Sequence, residues 1–503
     1  MKQTNKISCI LTSLMLCFCS IISFSQEFEA KESPIVNGDI GQPVLYSPTG
    51  FTVFYSYNEK TKDLQISVFD KNKKPYYINK KVEFNKINYR KYPTLKINDA
   101  PGVLDWYQQD GSIFFSISSR KMSHLIQVDA ATGSVISEEE QEVRNYYVTK
   151  YYNEITKGFV MLANDEFDNN KENHDVIKSQ FIIANNEGKI TQVVNYDNVN
   201  NEYLKSKFMD CYYDNEDIYF TVLLSGNPNN KTNLSKNAIY LSKYNLVSKK
   251  LTHIELSQTE TNITYEKINI IDNSIDNSLI IQYKFTDKNH KEYSDDPLLY
   301  LTSLQKVKKI SLIKGERFSV PTNASYQYIK DKNNVNFKVG KLHDLMSDKK
   351  GNVMALIIKP YFFYEGKGMG ISYFDSNGKE IYGLGYKFNL NYEISDGFLN
   401  NVIMSSAGNC NIIFLNNLAV NINLQPDAKP KQINNYNGTA IALQVDNKGN
   451  ISQYFVFGQP KSEDEYKYVD FYRCYKDLLS NTIVAKMWDS EFGKTRAAWI
   501  KLK

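Results

Sequence analysis

Cysteine is scarce in this chain: there are six, and Cys9, Cys17 and Cys19 lie within the first 25 residues. Loss of an N-terminal leader would leave Cys211, Cys410 and Cys474. Three thiols form one internal disulfide at most, which excludes a disulfide-built scaffold. Glycine (24) and proline (13) are outnumbered by tyrosine (37) and phenylalanine (27), so a low-complexity chain is excluded too. Neither sign of charge is in excess. The formal charge is +4, and without Lys2 and Lys6 there remain 58 basic against 56 acidic residues, which gives no electrostatic footprint for nucleic acid. Beyond the N-terminus no apolar run is long enough to span a bilayer, so no transmembrane segment is expected in the mature chain.

Motifs that advertise chemistry are also missing. The five histidines, His124, His174, His253, His290 and His343, form no metal-ligand pair such as H-E-x-x-H, so no metal site is expected. GKGMG at 366–370 lacks the Lys-Ser/Thr ending of a phosphate loop, no G-x-S-x-G nucleophile elbow occurs, and DSNGKE lacks a calcium-loop ligand series. No cofactor is expected, and the balance leans away from an enzyme.

What is present begins with an export signal over residues 1–25. Lys2 and Lys6 precede the apolar stretch Ile7 to Ile22, and Ser23-Phe24-Ser25 offers small residues for cleavage before Gln26. The expected product is secreted or periplasmic, with 26–503 as a single domain. The aromatic and β-branched content favours strands, because such side chains pack well on a pleated surface.

The chain is repetitive. Turn residues following apolar strands fall at Asp70, Asp129, Asn185, Asn245, Ser303, Asp375 and Asp446, at spacings of 59, 56, 60, 58, 72 and 71. Upstream of each hairpin runs a more apolar strand: FTVFYS, SIFFSI, FVMLAN, IYFTVLL, LIIQYKF, VMALIIK and NIIFLN, with TIVAKMW as an eighth. A weaker strand precedes these, as in VDFYRCYKD. Units of four strands, here a to d, that cannot close a core alone are what a β-propeller requires. The predicted fold is therefore all-β, a β-propeller of four-stranded antiparallel blades. Eight blades are favoured over seven, since the irregular region Ala419 to Tyr436 could hide a miscount. The last blade lacks an outer strand, and SPIVNGD at 33–39 is the segment expected to close the ring.

Two local resemblances agree. QPVLYSPTGFTVFYSYNEKTKDLQISVFD resembles a repeat of the Tol-type periplasmic propellers, with Ser47-Pro48-Thr49-Gly50 where that family carries Ser-Pro-Asp-Gly. VDAATGSVIS is similar to the quinoprotein propeller repeat, with Ser137 in place of the docking Trp. Each covers one blade and implies the fold, not a partner or a quinone. The Lys-, Asn-, Ile- and Tyr-rich composition resembles that of secreted proteins of the Bacteroidetes.

A propeller places all b–c connections on one face. Those of blades one and two are short. In blades three to six they lengthen to NDEFDNNKENHDVIKS, SGNPNNKTNLSKN, TDKNHKEYSDDP and PYFFYEGKGMG. Long loops on a rigid scaffold are where binding evolves. The candidate ligand-binding residues in this arc are Asp165, Glu166, Asp168, His174, Asp287, His290, Asp295, Tyr361, Phe363 and Tyr364, because rings stack on, and carboxylates accept hydrogen bonds from, sugars or peptides. Trp106 and Tyr107, in an inner strand, are candidate channel-lining residues. The acidic run Glu138-Glu139-Glu140 reads as a solvated edge that discourages aberrant pairing. A monomeric binding or assembly module for a protein or carbohydrate partner is the expectation. A hydrolase or lyase acting on polysaccharide or peptide, and a structural cell-envelope protein, are the alternatives.

Overall fold

The computed structural model describes residues 26–503 apart from 59–60, 62, 86–102, 106–107, 110–111, 119–121, 143–146, 153–158, 165–179, 185–189, 197–202, 215, 227–236, 260–262, 274–277, 288–297, 306–311, 320–324, 329–330, 337–340, 348–351, 359–367, 375–379, 388, 391–401, 408–409, 423–430, 434–437, 463–464, 478–479 and 490–492. In several strands the backbone alone is described. Among the described residues the chain is nearly all β, and eight sheets of four or more strands succeed one another along it; in the first seven, strands a-b-c-d form an antiparallel meander, and the eighth takes its outer strand from the N-terminal segment. Sheet one comprises Gln42–Tyr46, Thr52–Asn58, Asp63–Phe69 and Pro75–Val82. All eight apolar runs read as b strands hold the second position of their sheets. Central placement demands apolar cover on both faces, and Cys410–Asn417 of sheet seven is buried along its whole length.

Neighbouring sheets bury one another. Single hydrophobic clusters join sheets one and two, three and four, six and seven, and seven and eight. A further cluster joins the last sheet to the first: Val484, Ala497 and Trp499 of sheet eight pack with Ile40, Phe54 and Phe69. The a strands of sheets three and four, four and five, six and seven, and eight and one also touch one another. The a edges therefore converge on an axis and the d edges face outward. Sequential packing in which the last sheet meets the first makes the fold a β-propeller.

Ring closure uses the N-terminal segment, with one correction. The outer strand of sheet eight is Phe28–Glu32, paired with the c strand Lys494–Leu502 from Phe28↔Leu502 to Glu32↔Ala498. Only Val36 and Asn37 of the expected 33–39 stretch pair with that strand. Pro34 has no N–H to donate, so the ladder breaks there, and Ser33 takes it over through its N–H to the Ala497 carbonyl (2.9 Å) and its hydroxyl, which accepts from the Ala497 N–H (3.0 Å). Phe28 is the anchor, 1% exposed, edge-on to Phe414 at 5.5 Å and to Tyr454 at 6.3 Å. Gly41, on the way into sheet one, is held at φ +82°, where an added Cβ would lie 2.0 Å from the Tyr55 carbonyl oxygen.

The recurrent Asp or Asn is a turn cap. Asp70 Oδ1 accepts the N–H groups of Asn72 and Lys74 (both 2.9 Å), Asn245 Oδ1 those of Val247 and Ser248 (3.2 and 2.8 Å), and Asp446 Oδ1 those of Lys448 and Asn450 (both 2.8 Å). Asp129 does the same for Thr132, and these bonds hold its carboxyl below the usual range. Each of these hairpins then passes through a left-handed residue: Lys73, Gly133, Lys249 and Gly449. Ser303 is no turn residue but lies inside the strand Leu298–Gln305, and Asn185 and Asp375 lie outside the described residues.

Both over-long spacings have a cause. Between sheets five and six an added hairpin, Ser325–Tyr328 and Asp331–Asn336, attaches to the outer edge of sheet six through a parallel pairing of Gln327 and Tyr328 with Leu384 and Gly385. Between strands b and c of sheet seven, residues 418–438 include a short helix, Ala419–Ile422, and the strand Gln432–Ile433, which pairs with Asn389–Leu390.

Candidate functional site

Of the residues expected to bind ligand, Asp165, Glu166, Asp168, His174, His290, Asp295, Tyr361, Phe363 and Tyr364 lie outside the described residues, as do Trp106 and Tyr107. The backbone of Asp287 is placed at the end of the b strand Ser278–Asp287, opposite Ile263, where the b–c connection of sheet five begins.

The strand ends fix where the connections spring from. The b–c connections of sheets three to seven span 165–179, 227–236, 288–297, 359–367 and 418–438, against 59–62, 119–121 and 490–493 in sheets one, two and eight. Sheet seven, outside the arc expected from the sequence, carries the longest of them. The rim of sheet eight on that face is charged and pinned. Asp39 receives the Lys486 ammonium at 3.0 and 3.1 Å, and that ammonium lies 4.2 Å from the centre of the Trp488 ring. Glu32 accepts from Lys467 at 2.9 Å and lies 3.7 Å from the Arg496 guanidinium, so two ion pairs secure the end of the closing strand, and Arg496 also donates to Asp489 at 2.8 Å across strands b and c.

The axial edge of sheet eight is irregular. VDFYRCYKD, expected as one strand, is two: Lys467–Val469 and Tyr475–Asp477. The five residues from Asp470 to Cys474 stand opposite only Ala485 and Lys486, between the pairs Val469↔Met487 and Tyr475↔Val484. Such a bulge re-aims side chains. Phe471 turns into the core at 1% exposure, while Tyr472, at 61%, and Arg473 are exposed. Asn416 of sheet seven braces the bulge from behind: its amide donates to the Val469 carbonyl (2.8 Å) and accepts the Val469 N–H (2.9 Å).

Two histidines that the sequence left unconnected are tied into polar contacts. His124 Nε2 lies 3.1 Å from Glu138, which also accepts the Asn85 N–H at 3.0 Å, so Glu138 is more than a solvated edge residue. Ser242 Oγ lies 2.9 Å from His253 Nδ1 and 3.1 Å from the Tyr196 hydroxyl. Burial lowers the His253 pKa and pushes Tyr196 up to about 12. A serine beside a histidine is the skeleton of a nucleophile and base, but Ser242 is fully buried. This cluster joins sheet four to the end of sheet three and offers no hydroxyl to a substrate. The register that brings Ser242 against His253 crosses the c–d hairpin, a signal visible only once the hairpin is aligned.

Cys211, Cys410 and Cys474 are free thiols. Burial pushes Cys410 up to about 12, aided by Glu27 and Asp446, and Cys474 up to about 11. Among the described residues no group of three or more His, Cys, Asp or Glu side chains is placed to hold a metal, and no helix is long and apolar enough to cross a membrane.

No family model and no curated protein matches the chain. Among solved structures it is similar to the Dos1 propeller (8% identity, TM-score 0.46, covering 93% of this chain and 94% of that one). It is also similar to the polysaccharide lyase Uly1 (10% identity, TM-score 0.41, 93% and 100%) and to prolyl oligopeptidase B from Galerina marginata (9% identity, TM-score 0.42, 92% and 55%). The chain thus spans about half of that peptidase's length, and 64% of the chain of Kuenenia stuttgartiensis hydrazine synthase. The propeller fold stands on the order and packing of the sheets described above.

Proposed function

We propose that the chain is an exported propeller, secreted or periplasmic, that acts as a binding or assembly module for a protein or carbohydrate partner, and we read its eight sheets as eight blades. The observation that carries this reading is the succession of long b–c connections over sheets three to seven, all on one face, while sheets one, two and eight keep theirs minimal. Packing sets the strands, not these connections, and surplus chain concentrated on one arc of one face is what a binding surface requires.

The test is to replace 165–179, 227–236, 288–297 and 359–367 with connections as short as that of sheet two, then compare affinity capture from envelope extract and culture medium with that of the untrimmed chain. Capture should be lost while the far-ultraviolet spectrum and thermal transition persist. Undiminished capture by the trimmed protein would overturn the connections of sheets three to six as the binding surface.

A further inference from the structure

We propose that the broken inner strand of sheet eight recognises the carboxylate of an acidic sugar through Arg473, Lys476 and Tyr472. The proposal rests on reading the chain as a binding module, but it sets the contact on the axial edge, away from the long loops.

Three observations lead there. The bulge faces the axis, because it interrupts an a strand and the a strands of sheets eight and one touch beside it. It is a fixed feature and not a frayed end. The Asp470 N–H still reaches the Lys486 carbonyl (2.8 Å), the Phe471 N–H reaches Val469 (3.0 Å), and the Asp470 carboxylate accepts the Arg473 N–H at 3.3 Å. Phe471 is locked into the core, its ring 6.0 Å from that of Phe414. A bulge gives up ladder hydrogen bonds, and an uninterrupted strand would have packed Val469 and Phe471 as well. What the five-residue detour adds is exposure of Tyr472 and Arg473 at the axis.

The exposed groups define a chemistry. A guanidinium offers two parallel N–H donors that match a carboxylate, and Lys476, exposed one strand-turn further and 3.3 Å from the Met404 carbonyl of sheet seven, adds a second positive charge. An exposed tyrosine ring presents an apolar face with a polar rim, suited to the C–H face of a pyranose. A uronic acid uses all of these groups. A neutral sugar leaves the cations unused, and an acidic peptide leaves the ring without a flat partner.

The experiment is calorimetric titration of the leaderless chain with hexagalacturonate, with maltohexaose and hexaglutamate as neutral and peptide controls. Hexagalacturonate should bind, Arg473→Gln and Tyr472→Ala should each weaken it by roughly tenfold or more, and Arg473→Lys should fall between. The neutral hexasaccharide and the acidic peptide should bind at least about tenfold more weakly. Arg473 is a surface residue, so its variant decides the matter if Tyr472→Ala misfolds. No binding of the uronate, equal binding by Arg473→Gln, or equal binding of hexaglutamate would overturn the assignment. The loop-trimmed protein separates the two sites: retained uronate affinity supports the axial placement even if partner capture is unaffected by trimming, and lost affinity overturns that placement.

Discussion

Asp446→Ala removes a single turn cap, and its cost can be worked from three contacts. Oδ1 accepts the N–H groups of Lys448 and Asn450 at 2.8 Å each, and Oδ2 accepts the Asn450 side-chain amide at 2.8 Å. The turn is exposed, so water re-solvates the released donors and the full strength of three bonds is not lost. By analogy with helix caps the net cost is about 1–2 kcal/mol. The c–d hairpin of sheet seven should then open about tenfold more often. Hydrogen exchange of the amides of Lys448, Asn450 and Ile451 to Phe455 should accelerate by that factor, with amides of sheet one unchanged. Asp446→Asn keeps the Oδ1 acceptor, as Asn245 does in sheet four, and should cost less than about 0.5 kcal/mol. Equal effects of Ala and Asn, or none from either, would show that the recurrent residue is not a cap.

Lys249 occupies the left-handed turn position at φ 54°, and Lys249→Gly should stabilise the hairpin by about 0.5–1 kcal/mol in urea unfolding. Asn416→Ala strands a buried carbonyl and N–H of Val469 and should cost about 2–4 kcal/mol by the same measurement. Lys73 lies over the rings of Tyr46 and Trp499, and burial with the nearby charge of Lys31 lowers its pKa to about 8. Between pH 8 and 10.5 the unfolded chain therefore holds a proton that the folded chain has released, so stability gains with rising pH across that window. Lys73→Met should exceed wild type by about 1 kcal/mol at pH 7, after discounting for solvent screening, and lose that advantage by pH 10.5. Cys410 and Cys474, with thiols raised to about 12 and 11, should react with a disulfide reagent at pH 8 only after denaturant is added.

The parts of the fold legible in the sequence were those that recur for one local reason. Asp70, Asp129, Asn245 and Asp446 cap equivalent turns, so residue type and spacing marked the repeat, and the b strands are apolar because both faces are covered. The closing strand was misplaced because Phe28–Glu32 alternates buried with exposed residues and reads as polar, whereas 33–39 is more apolar but holds Pro34. The detour at Asp470 was invisible because Val, Phe, Tyr and Cys keep strand propensity whether or not they pair. His124 with Glu138, and Ser242 with His253, meet across strands, and nothing local forecasts such a contact. The loop arc was legible as surplus length and gained sheet seven only when strand ends were placed on both sides of 418–438.

The central claim is that Phe28–Glu32 and Lys494–Leu502 share one sheet and so shut the ring. Glu29 and Lys501 are exposed and face each other across the closing pair, so they suit an engineered cross-link. In a chain carrying E29C and K501C, with the native thiols left in place, mild oxidation should join positions 29 and 501 quantitatively, as read by mass spectrometry of the digested protein, and should raise the thermal transition. Failure to form that link in the folded protein, or a link that forms only in denaturant, would contradict a ring sealed by the N-terminal strand.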